Sequence, residues 1–247
     1  MEKNKNQLTF YTQIYEQKLI EKKPSLPLIV IQSFDPKQEN SSLNIETDKV
    51  LESESSKGFE GIHLVVLVHG FQGTSYDMKM IKNNISFLFP ESMFLCCTAN
   101  EDMTDKDIFE MGNRLAVEIK SFIIENFPNN TLGRISFIGH SLGGLKIRAA
   151  LPKLLDYKDK FYLYMSLSSP HLGYKVNTSS VIEAGIWILQ KLKESECLKQ
   201  LTMTDNPDPY ETTLYRLSLQ EGLQYFKKIM LYSSSQDSYA PYESARI

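Results

Sequence analysis

A mostly parallel β-sheet covered by helices on both faces is the fold class this sequence predicts, and three observations predict it. The unbroken apolar run Leu64-Val65-Val66-Leu67-Val68 stops at His69-Gly70, as a strand buried on both faces would. A β-type segment, Ile135 to Ile138, ends in Gly139-His140-Ser141-Leu142-Gly143 and leads straight into a helix-capable stretch, Leu145 to Leu151. Strand-like and helix-period segments then alternate along the chain, the pattern of successive βαβ units.

Strands are expected at about 62–68, 92–97, 134–138, 161–167 and 228–233, and helices at 74–88, 107–126, 142–155 and 179–193. The second helix carries Ile108, Met111, Leu115, Ile119, Phe122 and Ile123 on one face, with Asp107 placed to cap it. Residues 179–192 are unusually apolar and hold the only tryptophan, Trp187. Two readings of that segment stay open, a wall or lid over an active site and an ordinary helix buried on the sheet.

Residues 1–60 read as an N-terminal extension: a helix over Gln7–Lys23, a strand over Pro27–Phe34, then a polar stretch rich in Ser, Glu, Asp, Lys and Asn. The second unit spans 61–247. The chain has 247 residues, enough for one sizeable core, and its net charge of −3 carries no nucleic-acid signature. No apolar leader opens it and no window approaches the roughly 18 apolar residues of a membrane span. Its three cysteines, Cys96, Cys97 and Cys197, have neither disulfide nor metal spacing, which suits reduced thiols and a cytoplasmic location. No metal or cofactor is expected.

Gly-x-Ser-x-Gly between a strand and a helix is the nucleophile elbow of the α/β-hydrolase fold, a tight turn that lifts a serine hydroxyl above the sheet. Its glycines, here Gly139 and Gly143, are needed where backbones approach too closely for a Cβ. The His69-Gly70-Phe71 turn would supply one oxyanion N–H, from Phe71, and Leu142 the other. A serine hydroxyl becomes nucleophilic when an imidazole takes its proton and an acid orients that imidazole. The order in this fold is Ser, acid, His. Ser141 takes first place, and Asp237, in the loop after the strand at 228–233, is the acid, although an aspartate there also suits a turn before Pro241.

Third place is empty. His63, His69, His140 and His171 all precede Asp237. His69 belongs to the oxyanion turn, His140 is expected to point away from the reacting face, and His171, which follows a strand end, is expected to line the pocket, whereas as the general base it would break the usual order. The sequence is therefore read as an α/β-hydrolase fold truncated at its C-terminal end, before the base and the last strand. An exposed sheet edge and an apolar patch near the last residues follow from that reading.

Several ordered motifs resemble the putative serine esterase family, a group of lipase-like α/β-hydrolase domains. They are His69-Gly70-Phe71, Gly139-His140-Ser141-Leu142-Gly143, Ser169-Pro170-His171-Leu172-Gly173, Trp187 with Gln190-Lys191-Leu192, Gly222 to Lys227, and Gln236-Asp237 to Ser244-Ala245-Arg246-Ile247. The resemblance covers about 61–247. It implies a serine hydrolase acting on carboxylic esters, lipid or lipid-like, and a family histidine beyond Ile247. The alternative is a hydrolase-fold protein without catalysis, a binding or scaffold protein or a fragment. Peripheral membrane contact and oligomeric state stay open.

Overall fold

A computed structural model describes residues 28–34, 60–174, 195–234, 236–237, 239–240 and 242–245. The helix expected over 7–23, the linker over 35–59 and the apolar helix over 179–193 lie outside the described residues.

Six strands form one parallel sheet. They are β1 (Leu28–Phe34), β2 (Ile62–Val68), β3 (Met93–Cys96), β4 (Leu132–His140), β5 (Phe161–Leu167) and β6 (Lys228–Ser234), in the spatial order β1-β6-β5-β4-β2-β3. The described connections between β2, β3, β4 and β5 run through helices, the crossover that parallel neighbours require. Five helices are described: α1 (Lys79–Leu88), α2 (Ile108–Asn126), α3 (Leu142–Ala150), α4 (Glu196–Leu201) and α5 (Thr213–Ser218).

One face of the sheet is dry. Leu64, Val66 and Val68 of β2, Phe137 of β4, Phe161 and Tyr164 of β5, and Ile229 and Leu231 of β6 pack with Leu115 and Ile119 of α2 and Ile147 of α3. Helix α2 buries the expected face, and the Asp107 carboxylate accepts the Glu110 N–H at 2.8 Å as its N-cap. Gly112 of α2 lies against Ala149 of α3, where a Cβ would collide with Ala149. All nine residues of α3 are buried, so this helix is clamped between the sheet, α2 and the loops above. It ends at Ala150 rather than continuing to 155, because Pro152 turns the chain into short 3₁₀ segments.

The opposite face carries Val65, Leu67 and Ile138 beneath Met78, with Ile81 and Ile85 of α1 partly buried over them. Beyond α1 the cover thins, and alternate residues of β5 and β6 on this face are half-buried.

The edge expected to be bare is occupied. β1, which the sequence assigns to the N-terminal extension, pairs in parallel with β6 from Leu28↔Lys228 to Phe34↔Ser234. The sheet therefore draws on both sides of the division at residue 60, and the expectation of an open β6 edge is corrected. A local reading could not see this, because pairing across some two hundred residues leaves no mark on either segment.

Candidate active site

The C-terminal ends of β2, β4, β5 and β6 lie level with one another, Val68 beside Gly139, His140 beside Leu167, and Leu167 beside Tyr232. Open parallel sheets bind ligands outside this edge. Ser141 stands there, between the end of β4 and the start of α3. Its backbone has φ 52 and ψ −124, a conformation that costs a non-glycine residue on the order of 1–3 kcal/mol and persists only when the surroundings impose it.

The surroundings do so in three ways. The Ser141 N–H donates to the Leu167 carbonyl at 2.8 Å, tying the turn to β5. A side chain on Gly139 would run into the Gly144 amide, and one on Gly143 into the Val68 carbonyl, so the turn closes only with glycine at both places. Gly70 lies against the serine itself, since a Cβ there would stand 3.0 Å from Ser141 Cβ and 3.4 Å from its Oγ. The turn after β2 thus packs directly on the hydroxyl.

That turn is built from polar contacts. The buried His69 ring has Nδ1 3.0 Å from the Gly70 carbonyl, which only a protonated Nδ1 can bond. Burial, then the nearby Lys146 charge, lowers the His69 pKa, so the ring is neutral at pH 7. The Gln72 N–H donates to Thr104 Oγ1 at 2.9 Å, and Gln72 itself sits at φ 53. Phe71 and Leu142 both border the cavity above Ser141, and Leu142 is the first residue of α3, where a helix leaves its N–H without an intrahelical acceptor.

The cavity is about 590 Å³ and is lined by Ser141, His140, Asp237 and a largely apolar wall. Asp237 is a turn residue that also lines the cavity. Its carboxylate accepts the Tyr239 and Ala240 N–H groups at 2.8 and 2.9 Å. Tyr174 lies close enough for the Asp237 charge to add to burial in raising its phenol pKa.

The histidines divide sharply. His63 is at the other end of the sheet, with Nε2 2.7 Å from Ser136 Oγ, and burial followed by Arg134 lowers its pKa to about 4. His171 is absent from the cavity wall. Its Nδ1 faces Arg148 Nη1 at 3.3 Å and its Nε2 faces Ser166 Oγ at 3.0 Å. A guanidinium only donates, so Nδ1 accepts and Nε2–H donates to Ser166. Burial, reinforced by Arg148, drives its pKa well below the ordinary value. Both ring nitrogens are committed to holding the loop after β5, which corrects the expectation that His171 lines the pocket. His140 departs from expectation in the other direction: it is exposed and borders the cavity with Ser141.

The cavity wall includes residues the sequence did not single out. Asp77 and Met78 come from the 3₁₀ turn that precedes α1, Ile81 from α1, Leu198 and Leu201 from α4, and Tyr174 from the loop after β5. Only Asp77, Met78 and Ile81 had a sequence signal, their place in the expected helix over 74–88. Among the described residues no group of three His, Cys, Asp or Glu side chains could hold a metal, and no helix is long and apolar enough to cross a membrane.

Residues 59–247 match the family described as "Putative serine esterase (DUF676)". Over 200 residues the chain is 30% identical to a Saccharomyces cerevisiae protein named "Putative lipase YDL109C" and 26% identical to another named "Putative lipase ROG1". Each alignment takes in 75% of this chain but only 30% and 28% of those proteins, so the chain spans less than a third of either. Among solved structures, the peroxisomal alpha-beta-hydrolase Lpx1 of Saccharomyces cerevisiae is 10% identical with a TM-score of 0.43, covering 75% of this chain and 66% of that one. With 189 consecutive residues matched and a serine turn on a parallel sheet, this chain belongs to the DUF676 serine esterase family and has the α/β-hydrolase fold.

Proposed function

We propose that the chain is a serine hydrolase that cleaves carboxylic esters through an acyl-enzyme on Ser141. The observation that carries this reading is the conformation of Ser141, held at φ 52 at the sheet rim with Gly70 packed on its hydroxyl side. A protein spends strain of that kind where a side chain must be presented in one direction.

In the proposed reaction Ser141 Oγ attacks the ester carbonyl and gives up its proton to an imidazole base. The carbonyl oxygen becomes an oxyanion beside the Phe71 and Leu142 N–H groups, each worth roughly 3 kcal/mol to the transition state. The alcohol leaves with the base's proton, and water then attacks the acyl-serine by the same route in reverse. Asp237 orients the base. Among the described histidines only His140 borders the cavity, and the base is not assigned to it. The apolar wall of Met78, Ile81, Leu198 and Leu201 suits an acyl chain, and the lipase names of the yeast relatives favour a lipid ester.

A second reading has its own observation: His171 is locked to Arg148 and Ser166, away from the serine. Without a base the fold would bind rather than hydrolyse. A fluorophosphonate probe separates the two. The esterase reading expects labelling of folded protein that is lost in Ser141→Ala, together with p-nitrophenyl ester turnover. No labelling of the folded chain overturns it.

A further inference from the structure

The turn after β2 holds a strained residue of its own. Gly70, Phe71, Gln72 and Gly73 reverse the chain along the cavity wall, and the Gly73 N–H meets the Gly70 carbonyl at 3.4 Å. Gln72 is third of the four and has φ 53, where such turns favour glycine or asparagine. Glutamine lacks the short side chain with which asparagine bonds its own backbone in that conformation. Left to local preference, the central peptide would turn over to the commoner form with negative φ at both inner residues.

Thr104 opposes that change. Its Oγ1 accepts the Gln72 N–H at 2.9 Å, and this N–H belongs to the central peptide of the turn. Turning the peptide over would break the bond. The Thr74 and Ser75 N–H groups donate to the Asp77 and Glu101 carboxylates, both at 2.7 Å, but these fix the exit of the turn and not its centre.

The hydroxyl is held in place from behind. Thr104 is buried, and the buried Cys197 thiol donates to its carbonyl at 3.1 Å. Burial pushes that thiol's pKa up to about 12, so it keeps the proton it donates. The next carbonyl, of Asp105, accepts the Glu196 and Cys197 N–H groups at 2.9 and 3.2 Å. Thr104 thus reaches the turn from a loop pinned to α4. It is absent from the described cavity wall, so it acts through the turn and not on a substrate.

We infer that Thr104 is a positioning residue: its hydroxyl holds the Phe71–Gln72 peptide in the orientation that aims the Phe71 N–H at the ester carbonyl oxygen. The catalytic consequence rests on the esterase reading of Ser141, while the hold on the turn stands apart from it.

Kinetics and amide exchange on the full chain test the two parts separately. Thr104→Val keeps the shape and removes the hydroxyl, and Thr104→Ser keeps the hydroxyl. Thr104→Ala replaces the valine variant if valine prevents folding. With a p-nitrophenyl ester, kcat of Thr104→Val should fall at least tenfold with KM within twofold, because an oxyanion donor acts in the transition state. A trifluoromethyl ketone, whose serine adduct carries the same oxyanion, should bind more weakly by a similar factor. Thr104→Ser should bring both back to within threefold of the parent. Unchanged kcat in folded Thr104→Val, or a loss that serine does not restore, overturns the positioning role. The Gln72 amide of the parent should exchange its hydrogen at least tenfold more slowly than an unstructured amide. That protection should vanish in Thr104→Val and persist in Thr104→Ser. An unprotected Gln72 in the parent, or protection that survives in Thr104→Val, overturns the hold on the turn. A parent chain with neither ester turnover nor fluorophosphonate labelling overturns the Ser141 reading and the aiming of Phe71 with it, and Gln72 exchange then still decides what holds the turn.

Discussion

Gly70 lies against Ser141 so closely that a methyl group on it would stand 3.4 Å from the serine Oγ and 3.0 Å from its Cβ. Gly70→Ala therefore pushes on the hydroxyl and on the turn carrying the Phe71 N–H. A displacement of a few tenths of an ångström at a reacting atom is enough to misalign attack. Ester turnover should fall on the order of tenfold to a hundredfold, with a thermal midpoint within a few degrees of the parent. Unchanged kcat/KM in Gly70→Ala would mean that the Ser141 hydroxyl is not the group doing chemistry.

The C-terminal turn is fastened to the loop behind the cavity. The Leu172 N–H donates to the Ser244 carbonyl at 3.1 Å, and the buried Ser244 hydroxyl donates to the Gly173 carbonyl. Ser244→Ala leaves that carbonyl buried without its donor, at a cost of about 1–2 kcal/mol. Urea unfolding should show the loss. Because Pro170 and Tyr174 of the same loop line the cavity, KM for a long-chain ester should rise as well, while a short acetyl ester is less affected.

These two contacts show where sequence reasoning reached and where it stopped. β2 was legible because a strand buried on both faces must be apolar throughout, and α2 because its buried stripe and Asp107 cap are local signals. The serine turn was legible because its glycines are forced by contacts within a few residues. Helix α4 was missed: it is six residues long and held by the Ser195 cap and by burial against distant elements. The seat of β1 beside β6, the locking of His171 by Arg148, and the cavity wall of Leu198 and Leu201 are all long-range facts. No local pattern encodes them.

Buried neutral histidines give the fold a defined response to acid. Burial, with Arg148 beside it, holds His171 well below its ordinary pKa, and burial with Arg134 takes His63 to about 4. In the unfolded chain both protonate near 6.5. Above that pH neither state binds the proton and stability is flat. Below it the unfolded state binds more protons, so stability falls as pH is lowered, down to about 4 for His63 and further for His171. One histidine contributes a slope of at most about 1.4 kcal/mol per pH unit. Urea midpoints at pH 7.5, 6 and 5 should decline, and His171→Gln should flatten the decline.

Lys146 offers the opposite kind of test, a substitution expected to strengthen the fold. It lies within α3, is fully buried, and its Nζ has no hydrogen-bond partner among the described residues. Burial lowers its pKa to about 8, with Cys97, Cys197 and Glu118 opposing the shift. Relative to 10.5 in the unfolded chain, that shift amounts to a penalty of about 3 kcal/mol at neutral pH. The penalty is complete below pH 8 and disappears as pH rises toward 10.5, where the unfolded lysine is neutral too. Lys146→Met keeps the volume and removes the amine, as when a buried charge is replaced by a well-packed apolar side chain. It should stabilise the protein by about 1–3 kcal/mol at pH 7 and by less at pH 10, read as paired urea midpoints. A loss of stability at pH 7 would mean that the ammonium has a partner, which would make Lys146 a structural cation instead of a buried liability.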